Sequence, residues 1–201
     1  MAALVAAMSL RLAMPCQLNR DGRNKSGHDE EGQHHSIAWR RATDLGLTFH
    51  PITDSDLPVL ARIYASTRAD ELRLVPWSDA EKAAFCDMQF KAQHTYYQST
   101  FADADWLLIC RGDEAVGRLY IERQPREHHI IDIAFLTEQR RHGFGTAVMR
   151  DLLDEAVAAG KPASIHVERF NPALNLYQRL GFVKVEEQGV YDLMRWTPDS
   201  A

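Results

Sequence analysis

Arg140-Arg141-His142-Gly143-Phe144-Gly145 stands between an apolar run, Ile130 to Leu136, and a segment from about Thr146 whose apolar residues recur at helical spacing. The run reads as a buried strand and the segment as an amphipathic helix. A glycine-punctuated turn between them can bring several backbone N–H groups to one point, and the helix adds its four unpaired N-terminal donors and the positive end of its dipole. Such a turn is an anion site, most naturally for phosphates. Taken alone, it reads equally well as a basic helix start whose glycines serve only packing.

Two common phosphate loops fail at named positions. A P-loop needs Lys-Ser/Thr after its last glycine, and Gly145 is followed by Thr146-Ala147. A dinucleotide fingerprint needs a third Gly or Ala where Val148 stands. What remains is Arg140-x-x-Gly143-x-Gly145, in which the end of the strand and the loop amides grip a pyrophosphate while Arg140 or Arg141 supplies charge. Downstream, Ala163-Ser164-Ile165-His166-Val167 reads as a short strand and Asn171-Pro172-Ala173-Leu174-Asn175-Leu176-Tyr177-Gln178-Arg179-Leu180-Gly181-Phe182 as a capped helix. Asn171 suits the N-cap, Pro172 the first helical position and Gly181 the left-handed stop. Leu174, Tyr177 and Leu180 share a spacing of three, so Tyr177 reads as one more core residue. A phenol packed through its ring can still aim its hydroxyl into a cleft.

The Arg-x-x-Gly-x-Gly turn, followed about thirty residues later by Asn-Pro-Ala-x-x-x-Tyr-x-x-x-Gly-Phe, closely resembles the GNAT superfamily of acyl-CoA-dependent N-acyltransferases. Two motifs in the right order are far more specific than either alone. The resemblance covers roughly Leu47 to Trp196 and is strongest from Ile130 to Phe182. In some relatives the Asn stands seven residues before the Tyr, where this chain has Phe170; here Asn171 stands six before Tyr177.

Composition agrees with one catalytic-sized domain: 201 residues, 45% hydrophobic and 25% charged. The net charge is −5, and beyond the first 45 residues 17 basic residues face 23 acidic ones. An acidic domain is a poor bulk nucleic-acid binder. Cys16, Cys86 and Cys110 lack metal or redox spacing, which predicts a reducing, cytoplasmic setting and no disulfide framework, with Cys110 in the core. Met1 to Met14 is apolar but lacks a basic lead and is broken by Arg11, so neither a signal peptide nor a membrane span is expected. Gln17 to His35 has a disordered composition. Residues 1–44 are therefore expected to be a disordered extension or a mis-assigned start, with the N-acetyltransferase domain at 45–197.

From pattern alone the chain is a mixed α/β domain. Leu47 to Ile52 reads as a strand, and a helix from Asp54 or Ser55 sets Leu57, Leu60, Ala61 and Tyr64 on one face, with Pro58 tolerated in its first turn. A second helix, Ser78 to Thr100, is expected to bury Phe85, Met88, Ala92 and Tyr96. Strands follow at Trp106 to Arg111, Ala115 to Glu122 and Ile130 to Leu136, joined by hairpins. Thr146 to Ala159 buries Val148, Met149, Leu152, Leu153 and Ala156 and stops at Gly160. The resemblance implies a central, mostly antiparallel sheet flanked by helices in the order β-α-α-β-β-β-α-β-α-β-β. It also implies an acceptor-site wall in the connection Glu71 to Trp77 and around Gln89, His94 and Tyr97, positions that core or solvent-facing structure explains as well.

Acyl transfer demands a fixed thioester carbonyl, a neutral amine, stabilised oxyanion charge and a proton for the departing thiolate. The resemblance implies a strand that splays from its neighbour and offers free backbone groups around Phe135 and Leu136, with the Phe135 amide as oxyanion donor. It places the pyrophosphate on Arg140, Arg141, His142, Gly143, Phe144, Gly145 and Thr146, the cofactor arm beside Asn171, and Tyr177 as general acid. The base is open. Asp132 lies mid-strand in an apolar run and is either paired, for instance with Arg118 or His166, or functional. Glu122 and Glu168 are alternatives, as is a base acting through water or none. His128-His129 point to opposite strand faces with no third spaced ligand and read as a turn flank, so no metal is expected. His34-His35 lies in the tail.

The expected activity is transfer of an acetyl group from acetyl-CoA, as acyl-donor cosubstrate, to a primary amine of a small molecule or protein by direct attack in a ternary complex. The alternative is a non-catalytic acyl-CoA-binding or assembly module on the same fold. An RNA-directed acyltransferase would need a basic groove, which the acidic balance disfavours. No membrane partner is expected. The terminal strands near Phe182 to Trp196 would pair across a homodimer if an edge is exposed.

Overall fold

The computed structural model describes residues 39–198; the expectations for the tail, including Cys16 and His34-His35, lie outside the described residues. A short helix α1 (Arg40–Asp44) precedes β1 (Leu47–Pro51). A 3-10 turn at Asp54–Asp56 leads into α2 (Leu57–Arg73), and α3 (Asp79–Thr100) follows. Then come β2 (Asp105–Arg111), β3 (Glu114–Arg123), β4 (His128–Phe135), α4 (Phe144–Ala158), β5 (Ala163–Glu168), α5 (Leu174–Arg179), β6 (Val183–Gln188) and β7 (Tyr191–Trp196). From β1 onward this is the order the resemblance implies.

The seven strands form one sheet in the order β1-β2-β3-β4-β5-β7-β6. Every pairing is antiparallel except β4 with β5, which the crossover through α4 makes parallel. That parallel pairing lasts only from His128↔Ala163 to Ile130↔Ile165. Beyond it β4 stays with β3 as far as Phe135, while β5 stays with β7 as far as Glu168. The β3–β4 register slips where Tyr120 faces Asp132 and Ile121 faces Ile130, leaving Ile131 as an extra residue. A bulge bends its strand and increases its twist. Ile131 is therefore placed where β4 must leave β5, and a gap opens between their C-terminal ends.

One face of the sheet carries the main apolar core, in which Leu47, Ile109, Leu119, Ile121 and Ile130 pack with Val148, Met149 and Leu152 of α4 and Tyr177 of α5. Helix α1 joins this face. Ala42 is fully buried, and the buried carboxylate of Asp151 accepts the amides of Arg41 at 3.2 Å and Ala42 at 2.8 Å, capping α1 from α4. Trp39 Nε1 donates to Glu155 at 3.1 Å. The opposite face lies under α2 and α3 and is partly polar, since it holds Arg118, Tyr120 and Asp132.

Several expectations need correction. Helix α3 does not bury Phe85, Met88, Ala92 and Tyr96: Met88 and Ala92 are exposed, and Cys86, Gln89 and Phe90 are buried. The inward face is rotated because the sheet below it holds a buried guanidinium, and Gln93 Oε1 accepts from Arg118 Nη2 at 3.1 Å. His128 and His129 are not a turn flank. Both are buried in the first residues of β4, paired with Ala163 and Ser164 of β5. Cys110 is half-buried rather than core, whereas Cys86 is buried. Helix α5 begins at Leu174, because Asn171 Oδ1 closes a turn onto the Ala173 amide at 2.9 Å before the helical ladder starts. Its end is as expected: Gly181 has φ +93°, and the Phe182 amide reaches back to the Tyr177 carbonyl at 3.0 Å.

Candidate active site

The gap between β4 and β5 gathers most of the residues singled out in the sequence. Leu136 donates its amide to Val116 of β3 at 3.0 Å. Successive residues of a strand turn their backbone groups to opposite neighbours, so the N–H and C=O of Phe135 face away from β3 toward the gap. Gly117 makes this arrangement tight: a Cβ there would stand 2.6 Å from the Ala134 carbonyl oxygen and 2.8 Å from Phe135 Cδ1.

From Leu136 the chain makes a 3-10 turn at Thr137–Gln139 and enters the basic loop. Among the described residues no amide from Arg141 to Thr146 finds a backbone acceptor, and the ladder resumes where Ala147 donates to Gly143 at 2.9 Å. Gly143 is the N-cap of α4 at φ +84°, and Arg141 adopts φ +65°, uncommon for a residue with a side chain. A Cβ on Gly145 would stand 3.7 Å from Leu176 Cδ2 and 3.8 Å from Phe135 Cε2, so this glycine faces the space between α4, α5 and the end of β4. A run of unpaired donors at a helix N-terminus, beside exposed strand amides, suits a pyrophosphate continued by an extended arm.

The side chains of the loop divide. The His142 ring stacks on that of Phe144 (5.6 Å, 25°), and Phe144 is buried with the Arg111 guanidinium 5.5 Å from its centroid. These residues, with Asp44 to Gly46, bound a cavity of about 440 Å³ on the flank of the loop toward α1. Arg140 turns the other way: Nε donates to the Phe135 carbonyl at 3.1 Å and Nη2 to the Ser66 carbonyl of α2 at 3.0 Å.

Tyr177 enters from α5 and is 4% exposed, its ring packed edge-on against Phe182 at 5.9 Å. Burial, and then the charge of Asp132, push its phenol well above the ordinary value, so it stays protonated. Asn171, half a turn ahead of α5, is exposed and has its side chain engaged with the Ala173 amide.

Asp132 is held by Arg118, whose Nη2 stands 2.6 Å from Oδ2. Arg118 is 2% exposed, with its guanidinium 5.2 Å from the Tyr120 ring and 6.0 Å from that of Tyr64. Burial, the largest single influence, would lower the pKa of Arg118, but the charge and hydrogen bond of Asp132 together with Tyr120 and Tyr97 outweigh it and the net shift is upward. Of the two partners considered for Asp132, Arg118 is found. His166 instead lies against His129 (5.4 Å), and the Nδ1 of His129 contacts the Ser164 hydroxyl at 3.0 Å. Tyr97 of α3 completes this side, raised far above the ordinary tyrosine value by burial and then by Asp132. Glu168 ends β5 with Arg68 of α2 at 3.4 Å and the Tyr191 hydroxyl at 3.4 Å, and Glu122 accepts from Gln124.

Sequence reasoning did not single out Gln93, Arg68 or the Ser66 carbonyl. An arginine inside the apolar strand Val116 to Ile121 is the one signal that polar partners must come from α3. Among the described residues no group of three or more His, Cys, Asp or Glu side chains is placed to hold a metal ion. No helix among them is long and apolar enough to cross a membrane.

Residues 61–182, more than half of the chain, match the acetyltransferase (GNAT) family. The chain is similar to an uncharacterized N-acetyltransferase, CgeE, of Bacillus subtilis (strain 168), at 27% identity over an alignment of 167 positions that covers 79% of this chain and 55% of that protein. It thus spans about half the length of that curated relative. Among solved structures, the PaiA N-acetyltransferase from Thermoplasma acidophilum in complex with coenzyme A aligns with a TM-score of 0.59 at 11% identity, covering 76% of this chain and 99% of that one. PH1933 from Pyrococcus horikoshii OT3 aligns with a TM-score of 0.58 at 17% identity, covering 77% and 99%. These structural likenesses concern the fold alone. The extent of the family match settles the family: the chain belongs to the acetyltransferase (GNAT) family.

Proposed function

We propose that the protein transfers an acetyl group from acetyl-CoA to a primary amine of a small molecule or protein, by direct attack with both substrates bound. What supports this reading is the set of unpaired loop amides ahead of α4, the Phe135 backbone turned away from β3, and the buried, protonated Tyr177 on the neighbouring α5. Coenzyme A in the PaiA structure supports the choice of donor. The catalytic domain is the part from about residue 45 to 197, with α1 docked on it.

The amides of Arg141 through Thr146 hold the pyrophosphate, with charge from Arg141, since the Arg140 guanidinium is committed to the Phe135 and Ser66 carbonyls; the Phe135 N–H, rather than the backbone of Leu136, whose N–H and C=O are bonded to Val116 and Gln139, receives the arm that leads to the thioester. His142, Phe144 and Asn171 flank that path. The donor supplies an activated acyl group. The Phe135 N–H stabilises the negative charge that grows on the carbonyl oxygen as the amine nitrogen bonds to carbon. As the carbon–sulfur bond breaks, Tyr177 passes its proton to the thiolate, the attacking nitrogen loses one to solvent, and solvent returns a proton to the tyrosinate. A tyrosine can act on a stronger acid's conjugate base only at hydrogen-bond range. Asp132, the base candidate of the sequence, has its carboxylate engaged by the buried Arg118 guanidinium, and the role that fits it is the structural pair. The amine then arrives deprotonated or loses its proton through water.

Calorimetry with acetyl-CoA tests the donor. Wild type binds, and Gly143→Glu, which adds a negative side chain at a left-handed N-cap, abolishes binding. No binding by wild type overturns the proposal. A non-catalytic acyl-CoA-binding module is distinguished by thiol release across an amine panel, where it shows none.

A further inference from the structure

Arg140 sits where the end of β4, the basic loop and α2 meet. Its two bonds end on backbone carbonyls, Phe135 at 3.1 Å and Ser66 at 3.0 Å. The Ser66 carbonyl also accepts the Thr137 hydroxyl at 3.3 Å, so the segment entering the loop grasps one α2 carbonyl twice. A planar guanidinium presents donors in a rigid fork and can hold two carbonyls at once, which a single ammonium point charge does poorly.

The helix so held is the wall of the gap opposite α5. Two residues past Ser66, Arg68 reaches Glu168 of β5 at 3.4 Å. One turn before Arg68, Tyr64 lies against the guanidinium of Arg118, the partner of Asp132. Helix α2 is therefore fastened on both sides of the opening, to the β4 side by Arg140 and to the β5 side by Arg68. With α5 and the loop given to the donor, the amine must enter past α2.

We infer that Arg140 is a positioning residue that braces α2, the amine-side wall, against the end of β4, so that the anion loop and the acceptor wall hold their places together. The inference rests on the proposed function for the identity of the two substrates, an acyl thioester and an amine. The brace itself is a property of the protein without either. Both acceptors of Arg140 are backbone atoms, so its guanidinium, the charged part of a link to Ser66 that the Thr137 hydroxyl shares, is spent on protein carbonyls rather than on phosphate.

Amide hydrogen exchange on the full chain without ligand tests it, comparing wild type with Arg140→Ala and Arg140→Lys. Exchange across residues 63–70 is expected to speed up by about tenfold in Arg140→Ala, the size that loss of a charged hydrogen bond gives a local opening, and by less in Arg140→Lys. Exchange in α4 should be unchanged, which separates the local effect from global unfolding. Unchanged exchange of α2 in Arg140→Ala overturns the brace. Calorimetry adds a second readout with acetyl-CoA and with acetyl-pantetheine, which lacks the pyrophosphate: the brace predicts that Arg140→Ala weakens both by the same factor. A loss confined to acetyl-CoA makes Arg140 a phosphate ligand and also overturns it. Wild type that binds neither donor removes the proposed function, while the exchange result still decides the brace.

Discussion

Nη2 of Arg118 donates to Oδ2 of Asp132 at 2.6 Å between adjacent strands, and neither side chain has much solvent: Arg118 is 2% exposed and Asp132 17%. Breaking such a pair by removing one partner leaves an uncompensated buried charge. Asp132→Ala is therefore expected to lose about 3–5 kcal/mol of stability, while Arg118→Met combined with Asp132→Leu recovers most of it. Urea denaturation of wild type and the two variants checks this. Were Asp132 chiefly a proton acceptor, Asp132→Ala would melt like wild type and lose turnover instead.

Tyr177 is held protonated by burial and by the charge of Asp132. Tyr177→Phe keeps the packing against Phe182 and removes the proton, so kcat should fall by about 10²–10⁴-fold with acetyl-CoA affinity retained. Turnover within threefold of wild type, at about the precision of such assays, would remove the general-acid role. The same shift has a stability consequence. The pKa is raised in the folded state, so the contribution of Tyr177 is complete below the unfolded value of about 10 and is lost above it, as the unfolded chain sheds its proton first. Alkaline destabilisation should be shallower in Tyr177→Phe.

His129 is pushed down to about 4 by burial and then by the neighbouring His166. A depressed histidine is neutral in the fold and charges on unfolding, so its contribution is present above the unfolded value of about 6.5 and is lost as pH falls from there toward 4. His128 and His166 are shifted down as well, each chiefly by burial. Denaturation free energies at pH 7 and pH 5 should therefore differ by about 1 kcal/mol or more in wild type, and by less in His129→Gln. An equal difference in the two proteins would place the acid sensitivity elsewhere.

Gly117 faces the Ala134 carbonyl and the Phe135 ring too closely for a side chain. Gly117→Ala forces β3 and β4 apart beside the proposed oxyanion donor. The expected cost is about 1–3 kcal/mol in stability, with kcat reduced more than donor affinity. Thermal melts and steady-state kinetics read the two effects separately, and an unchanged kcat would show that the Phe135 amide does not depend on this contact.

Local rules made the basic loop and the end of α5 legible in the sequence. Gly143 and Gly181 take left-handed φ values where a helix must start or stop, and the apolar spacing from Val148 to Ala156 fixes which face of α4 is buried, since each of these depends on residues within a few positions. The pairing of Asp132 was half legible: an isolated carboxylate in an apolar strand announces that it needs a partner but cannot choose between Arg118 and His166. The inward face of α3 departs from its apolar stripe because the surface beneath it requires Gln93 to meet a buried guanidinium.

By itself, then, the sequence determined the run of strands and helices from β1 onward, the left-handed stop at Gly181 and the glycine turn ahead of α4, because these follow from backbone conformation and from side-chain period over short spans. Only the tertiary structure decided where β4 parts from β5, which face of α3 turns inward, that Arg118 rather than His166 holds Asp132, and that Arg140 reaches Ser66, 74 positions away. Those outcomes depend on register between distant strands and on carbonyls that carry no residue identity, and neither is written in local composition.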